Sequence, residues 1–435
     1  MKSRRLTPYR AASATPRSRP KPQSTWRAFA LTLAATVGLA AAGPPAQAQA
    51  FTVLYSFAGY PTDGAGPIAG LFMDAAGNLY GTTTFGGNVN GDHCGSSGYI
   101  GCGTVFKLDV KGKETVLHNF NGPDGANPSS SLIMDAKGDL YGTTEYGGIL
   151  QDCTVTGGAG CGVVFKLSGK TETVLHRFCS VEDCADGALP WRGLVMDTSG
   201  ALYGTTYTGG SVNGGVVFKL VGKKETILHN FTGYSDGAYP TAGLIMDAKE
   251  HLYGTATVGG DVNCGCGVVF KLAGKKMTVL HAFKGSPDGG TPYGGLFMDP
   301  NGNLYGTTVF GGVGYDSGTV FKVSRRDKES VLFTFNSDAG GYRPQNGLVR
   351  DAEGNLYGTT QIGGDAGYGV VFEITRYGKE KVLHSFCSGD CSDGAYPWGD
   401  LIIDATGNLY GTTSGGGVNG NGTIYKITLH SPNAP

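Results

Sequence analysis

The tetrapeptide Leu-Tyr-Gly-Thr occurs seven times in this chain, with its tyrosine at Tyr80, Tyr141, Tyr203, Tyr253, Tyr305, Tyr357 and Tyr410, at spacings of 50 to 62 residues. Self-similarity at a period near 50 is the signature of a repeat architecture, and it restricts the fold more than any local propensity does. Each unit resolves into four short runs. An apolar run ending in aspartate, such as Gly243-Leu244-Ile245-Met246-Asp247, leads through a turn into the tetrad. A loop opening on a Gly-Gly pair follows, then a third run such as Val216-Val217-Phe218-Lys219-Leu220 and a fourth such as Glu225-Thr226-Ile227-Leu228-His229. Short β-branched and aromatic runs between Gly, Asp, Asn and Pro read as strands. No repeat shows a helical period.

Seven units of four antiparallel strands predict an all-β, seven-bladed β-propeller. The ends of the repeat region point the same way. Residues 51 to 57 match the fourth strand of a unit and residues 422 to 427 match the third, so the first segment supplies the strand that the last unit lacks. Complementary half-units close a ring and remove a sheet edge, which an open solenoid would keep.

Residues 1 to 48 carry eight Lys or Arg and no acid, and a basic flank is followed there by an apolar run over residues 28 to 42 and then Ala46-Gln47-Ala48. Such a segment reads as a secretory signal peptide; its alternative, a single membrane anchor, is disfavoured because the run is shorter than the ~20 residues of a span. The expected organisation is a signal peptide over 1–48, the propeller over 49–430 and a short tail over 431–435, with no membrane span in the mature chain. Of 34 bases, 26 remain in that mature chain against 35 acids, a charge of about −9 that argues against nucleic acid as a partner. The expected location is the periplasm or the extracellular space, and the expected state a monomer.

Ten cysteines fall into five close pairs, Cys94 with Cys102, Cys153 with Cys161, Cys179 with Cys184, Cys264 with Cys266, and Cys387 with Cys391. In an exported chain these read as disulfides. Zinc is the alternative, but the pairs belong to different blades and lack recurrent His partners. Cys264 and Cys266 form the weakest case, with one residue between them. Because antiparallel strands alternate direction, the loops from fourth to first strand and from second to third emerge on one face. All ten cysteines lie there, and variable loops on a rigid scaffold are where binding and catalysis concentrate.

Three recurrent positions could carry chemistry. The aspartates Asp74, Asp135, Asp197, Asp247, Asp299, Asp351 and Asp404 suggest calcium, but the residues after them do not keep a calcium loop's spacing, so a turn capped by its own aspartate is favoured. His118, His176, His229, His281 and His384 share one position with Tyr55 and Phe333, which reads as packing. The third is the residue after the proline of an Asp-Gly-x-x-Pro motif: Ile68, Ser129, Trp191, Thr241, Tyr293, Gln345 and Trp398. It varies freely within a regular frame and holds two of the three tryptophans. Trp191, Tyr293 and Trp398, with Arg192, Arg343 and Asp400 beside them, make a candidate carbohydrate or aromatic-ligand surface at the mouth of the central channel. No cofactor motif is present, since the glycine-rich loops join strand to strand and form no phosphate cradle.

The unit Gly-Leu-Ile-Met-Asp, Gly-Asn-Leu-Tyr-Gly-Thr-Thr, Gly-Val-Val-Phe-Lys-Leu, Glu-Thr-Val-Leu-His-x-Phe resembles the GloVer tandem-repeat family of exported bacterial proteins over residues 51 to 428. The resemblance implies a choice-of-anchor type of repeat protein and carries no catalytic residues. The functional expectation is a secreted, non-enzymatic propeller that binds a glycan, peptide or cell-envelope partner through its loop-rich face. The alternative is a propeller enzyme acting on polysaccharide, a lyase or a glycosidase, in which Arg192, Arg343 and a Tyr or His would do the chemistry.

Overall fold

The computed structural model describes residues 49 to 429 apart from 89–93, 95–99, 150–152, 154–155, 157, 313–316 and 337–339; the expected signal peptide and C-terminal tail, His93 and Asp338 lie outside the described residues. Seven four-stranded antiparallel sheets follow one another. Blade 3 is typical, with strands Val195–Met196, Leu202–Thr206, Val216–Val221 and Lys224–Asn230. The first strand is only two residues long, shorter than its apolar run, and just past it the Asp197 N–H donates to Ala201 O at 3.0 Å. Blade 7 is built from Ile402–Ile403, Leu409–Thr413 and Thr423–Thr428, and its fourth strand is Ala50–Ser56 from the other end of the chain. The ring is therefore closed by the N-terminal strand.

Repetition of Asp and Tyr has one cause. In blade 3, Asp197 Oδ1 accepts hydrogen bonds from the backbone N–H of Ser199 and Ala201, both at 2.9 Å, and Oδ2 accepts the Tyr203 hydroxyl at 2.9 Å. The tetrad tyrosine thus ties its strand to the turn before it. The pair recurs in every blade, from 2.8 Å at Tyr357 to 3.2 Å at Tyr80. Burial pushes the Asp197 carboxyl up, but these hydrogen bonds outweigh it and hold the group at about 2.

Glycine of the tetrad answers to the core. A Cβ at Gly204 would stand 2.6 Å from Phe218 Cζ and 2.9 Å from Leu194 Cδ2. The fully buried Phe218 takes that space, and its ring meets Phe178 from the end of the preceding blade edge-to-face at 5.2 Å. Equivalent pairs join every blade to the next, and the last of them, Phe386 with Tyr425 at 5.1 Å, uses the one tyrosine in the series. Aromatic pairs of this geometry contribute about 0.5–1.5 kcal/mol beyond area burial.

Two further contacts knit neighbouring blades near the channel. The first threonine after the tetrad glycine donates to a carbonyl of the next unit, as Thr307 Oγ1 does to Asn346 O at 2.8 Å, and Thr412 to Ala69 O at 3.1 Å spans the closure. The proline of the next unit packs on the glycine before each third strand, as Pro240 Cδ does on Gly215, which has no room for a Cβ.

The histidine position is more than packing, and the expectation made for it is corrected. His118, His229, His281 and His384 place Nε2 2.8 to 3.2 Å from the aspartate of the following Asp-Gly-x-x-Pro motif, and the Tyr55 hydroxyl donates to Asp63 at 2.8 Å. Tyr replaces His because both reach the same carboxylate. A register shift between third and fourth strands in every blade, as between Val217 and Phe218, sets this residue apart from the strand's regular alternation.

Candidate functional site

Residues after the loop prolines converge. Ile68, Ser129, Trp191, Tyr293 and Trp398, drawn from five of the seven units, line one cavity of about 290 Å³. Their convergence follows from backbone geometry. The residue before each proline adopts a left-handed conformation, at Gly66, Asn127, Leu189, Tyr239, Thr291, Arg343 and Tyr396, so the chain turns sharply as it enters the innermost strand. Hydrogen bonds from Ser129 Oγ to Trp191 O at 2.9 Å and from Thr241 Oγ1 to Tyr293 O at 3.2 Å link these positions around the mouth.

The wall is aromatic. The Trp191 ring meets Tyr207 edge-on at 5.2 Å and Tyr293 at 5.9 Å. Arg192 lies with its guanidinium carbon 5.7 Å from the centre of the Tyr293 ring while Nε donates to Thr241 O at 3.0 Å, so the side chain is held in place at the cavity edge. Burial raises the Tyr293 phenol to about 12; Arg192 opposes this, and Glu145 and Tyr207 add to it.

Four of the six residues singled out by sequence, Trp191, Arg192, Tyr293 and Trp398, are brought together. The other two are not. Arg343 is the left-handed residue before its proline and lies over the Phe310 ring, its guanidinium carbon 5.5 Å from the centroid. Asp400 sits in the channel, where Gly347 N–H donates to its Oδ1 at 2.7 Å. Gly70, Gly193, Gly243, Gly295 and Gly347 occupy the corresponding position in other units, with Ser131 in the second, which leaves the carboxylate room there. All five expected cysteine pairs form, including Cys264 with Cys266.

Sequence reasoning missed Glu145, the one carboxyl among the described residues that line the cavity. It directly follows the second strand Leu140–Thr144. Burial lifts its carboxyl to about 7, against a smaller lowering by Tyr146. The Tyr146 phenol, beside it in the cavity wall, is pushed up by its own burial and by Glu145, and stays protonated at neutral pH. A signal for Glu145 existed: the residue after the tetrad segment reads Thr84, Glu145, Tyr207, Thr257, Val309, Gln361 and Ser414, a second variable position with a single acid.

Solved structures are similar to the chain at low identity. A gluconolactonase from Xanthomonas campestris matches at 14% identity with a TM-score of 0.39, over 71% of this chain and 88% of its own. A protein described as a 6-phosphogluconolactonase from Bacteroides uniformis matches at 14% identity with a TM-score of 0.45, over 71% and 84%. A protein described as a glucose dehydrogenase-type oxidoreductase from Thermus matches at 15% identity with a TM-score of 0.41, over 69% and 96%. No curated protein matches the chain. The expectation of a non-enzymatic binding protein is corrected at this point. The similar solved structures are described as lactonases and an oxidoreductase, and the cavity holds an acid–base group that the expectation did not include. The likeness carries no residue role. The repeats are matched by one family model over residues 45–266 and 263–434, and the chain belongs to the Gloeobacter/Verrucomicrobia repeat family.

Proposed function

We propose that the protein is an exported enzyme that cleaves acidic polysaccharide by β-elimination, with the cavity at the channel mouth as its active site. The observation that carries this reading is Glu145, a carboxyl poised at about 7 in an aromatic-walled cavity that also holds Arg192. A lyase needs a base near a cation that neutralises a uronate, and this pair supplies both. Glycoside hydrolysis needs two carboxyl groups flanking the bond, and Glu145 has no second carboxyl beside it among the described lining residues.

In the reaction, sugar rings lie on the faces of Trp191 and Trp398, and Arg192 pairs with the uronate carboxylate. Ionised Glu145 takes the proton α to that carboxylate. The bond from the β carbon to the glycosidic oxygen breaks, a carbon–carbon double bond forms, and the departing oxygen takes a proton from Tyr146. Tyr146 recovers it from Glu145 or water, so the site returns to its starting state. The paired cysteines accord with an oxidising compartment. We assign residues 1–48 as the signal peptide, 49–430 as the monomeric catalytic propeller and 431–435 as a tail.

The test is incubation of the mature chain with a panel of polyuronates and ultraviolet detection of unsaturated products. Glu145→Gln should lower the rate by about 10²-fold or more while the melting temperature holds. Activity should rise with pH through about 7, because the ionised carboxyl is the base. Trp191→Ala and Trp398→Ala should raise KM, since neither ring is fully buried and both face the cavity. Absence of unsaturated product from every polyuronate, or full activity in Glu145→Gln, would remove this reading.

A further inference from the structure

The position that pairs histidine with aspartate has a third member from the next blade. In the register of the fourth strands, Phe51, Glu114, Glu172, Glu225, Met277, Glu329 and Glu380 occupy equivalent places. Phe51 and Glu225 lie against His384 and His176 of the blade before them, and Glu114, Glu172 and Glu329 interact electrostatically with Tyr55, His118 and His281. The ring thus contains its own comparison of sites with and without a third oxygen donor.

Where the third residue is apolar, histidine and aspartate close up. His229 Nε2 is 3.0 Å from Asp236 with Met277 in the third place, and His384 Nε2 is 2.8 Å from Asp393 with the Phe51 ring stacked on the imidazole at 3.7 Å. Where it is Glu172 or Glu329, the pairs His118–Asp124 and His281–Asp288 stand at 3.2 Å. At Glu225 the group opens. His176 Nε2 is 3.6 Å from Asp186 Oδ2 and 3.6 Å from Glu225 Oε2, both too long for hydrogen bonds.

Here Nε2 of His176, Oδ1 of Asp186 and Oε1 of Glu225 are all shut off from solvent with no hydrogen-bond partner among the described residues. The Asp186 side chain is only 4% exposed. A buried polar atom without a partner is costly, and three in one group are unusual. Ser180 donates to Asp186 Oδ2 from its backbone N–H at 2.9 Å and from Oγ at 2.7 Å, which fixes the carboxylate in place. The donor atoms of His176, Asp186 and Glu225 lie within 4.8 Å of one another.

We propose that His176, Asp186 and Glu225 form a divalent transition-metal site, suited to Zn²⁺, that clamps blade 3 to the blade before it. One imidazole and two carboxylates are a common donor set for such ions. Ligands about 2.0–2.2 Å from a tetrahedral ion stand roughly 3.4 Å apart, close to the observed separations. An ion at the centre would give the orphaned His176 Nε2 a partner and would offset the charge of the two carboxylates whose Oδ2 and Oε2 face it. Ser180 would act as the outer support that orients a ligating carboxylate. The site lies between blades at their fourth strands, away from Glu145 and the channel mouth, so it does not depend on the catalytic reading.

The experiment is calorimetric titration of Zn²⁺ into the mature chain after removal of bound metal by a chelator, together with X-ray absorption of the zinc-loaded wild type. Wild type should bind Zn²⁺ and gain thermal stability, and its absorption spectrum should show one imidazole and oxygen donors. Glu225→Gln and His176→Asn should each weaken that binding by about 100-fold or more. The absorption measurement needs no variant, so it decides the case even if a substitution impairs folding. No zinc binding by wild type, unchanged binding in both variants, or a sulfur shell near 2.3 Å from the neighbouring Cys153, Cys161 and Cys179 cluster would each overturn the proposal.

Discussion

Tyr425 is the odd member of the core ring, and replacing it should make the protein more stable. Six blades place phenylalanine at this point of the third strand, and the seventh places Tyr425, which is fully buried. Its hydroxyl has no hydrogen-bond partner among the described residues, and burial pushes the phenol far up, so it stays neutral and unpaired. The oxygen lies against Gly411, in the space that Phe218 Cζ approaches at Gly204. A buried hydroxyl with no partner costs about 1–3 kcal/mol. Tyr425→Phe removes one oxygen, keeps the edge-to-face contact with Phe386, and leaves a ring of the size that six other blades already hold. Equilibrium denaturation at one temperature should therefore show a gain of about 1–3 kcal/mol. The reciprocal change, Phe372→Tyr, inserts a hydroxyl into the same setting against Gly358 and should lose a similar amount. A loss of stability in Tyr425→Phe would mean that the hydroxyl is satisfied, for instance by a buried water, and would refute the reasoning.

Gly204→Ala should cost about 1–3 kcal/mol in the same assay by overpacking against Phe218 and Leu194, whereas Gly389→Ala, with open space around it, should be neutral. Asp197, Asp247 and Asp404 are held at about 2, below their unfolded value of 3.8, so their contribution is present above about pH 4 and is lost as pH falls toward 2; Asp197→Asn should flatten that acid limb of the stability profile. Glu114 has the opposite sign. Burial, with Asp63 adding to it, raises its carboxyl from 4.5 to about 7, so its contribution is full below about 4.5 and declines as pH rises through 7. Glu114→Gln should consequently gain on wild type between those limits, and equal pH slopes for the two proteins would count against the burial argument.

The fold could be read because its demands are the same seven times over. Asp197, Tyr203, Gly204 and Phe218 each answer a constraint that every blade imposes, so repetition marks them directly. The half-units at residues 51–57 and 422–427 added closure, since a missing strand and a spare one can be matched by pattern alone. A site needs departure from the repeat, and there the sequence was only half legible. Variation after the loop proline led to Trp191, Tyr293 and Trp398. Equal variation after the tetrad, where Glu145 lies, meets the same cavity only once the second strand is known to end at its rim. Neighbours in sequence proved poor guides to neighbours in space. Arg343 precedes its proline by one residue, yet its left-handed backbone carries it to Phe310, while Asp400 follows Trp398 by two and enters the channel. The histidines show a subtler limit. Exchange among His, Tyr and Phe suggests packing unless the aspartate is considered with them, and Phe333 belongs to the one unit whose Asp-Gly-x-x-Pro motif is broken. That unit has Phe333 in the histidine's place and Gly340 in the aspartate's, four residues before Pro344, and this paired departure, rather than the histidine itself, was the trace of the clamp's chemistry.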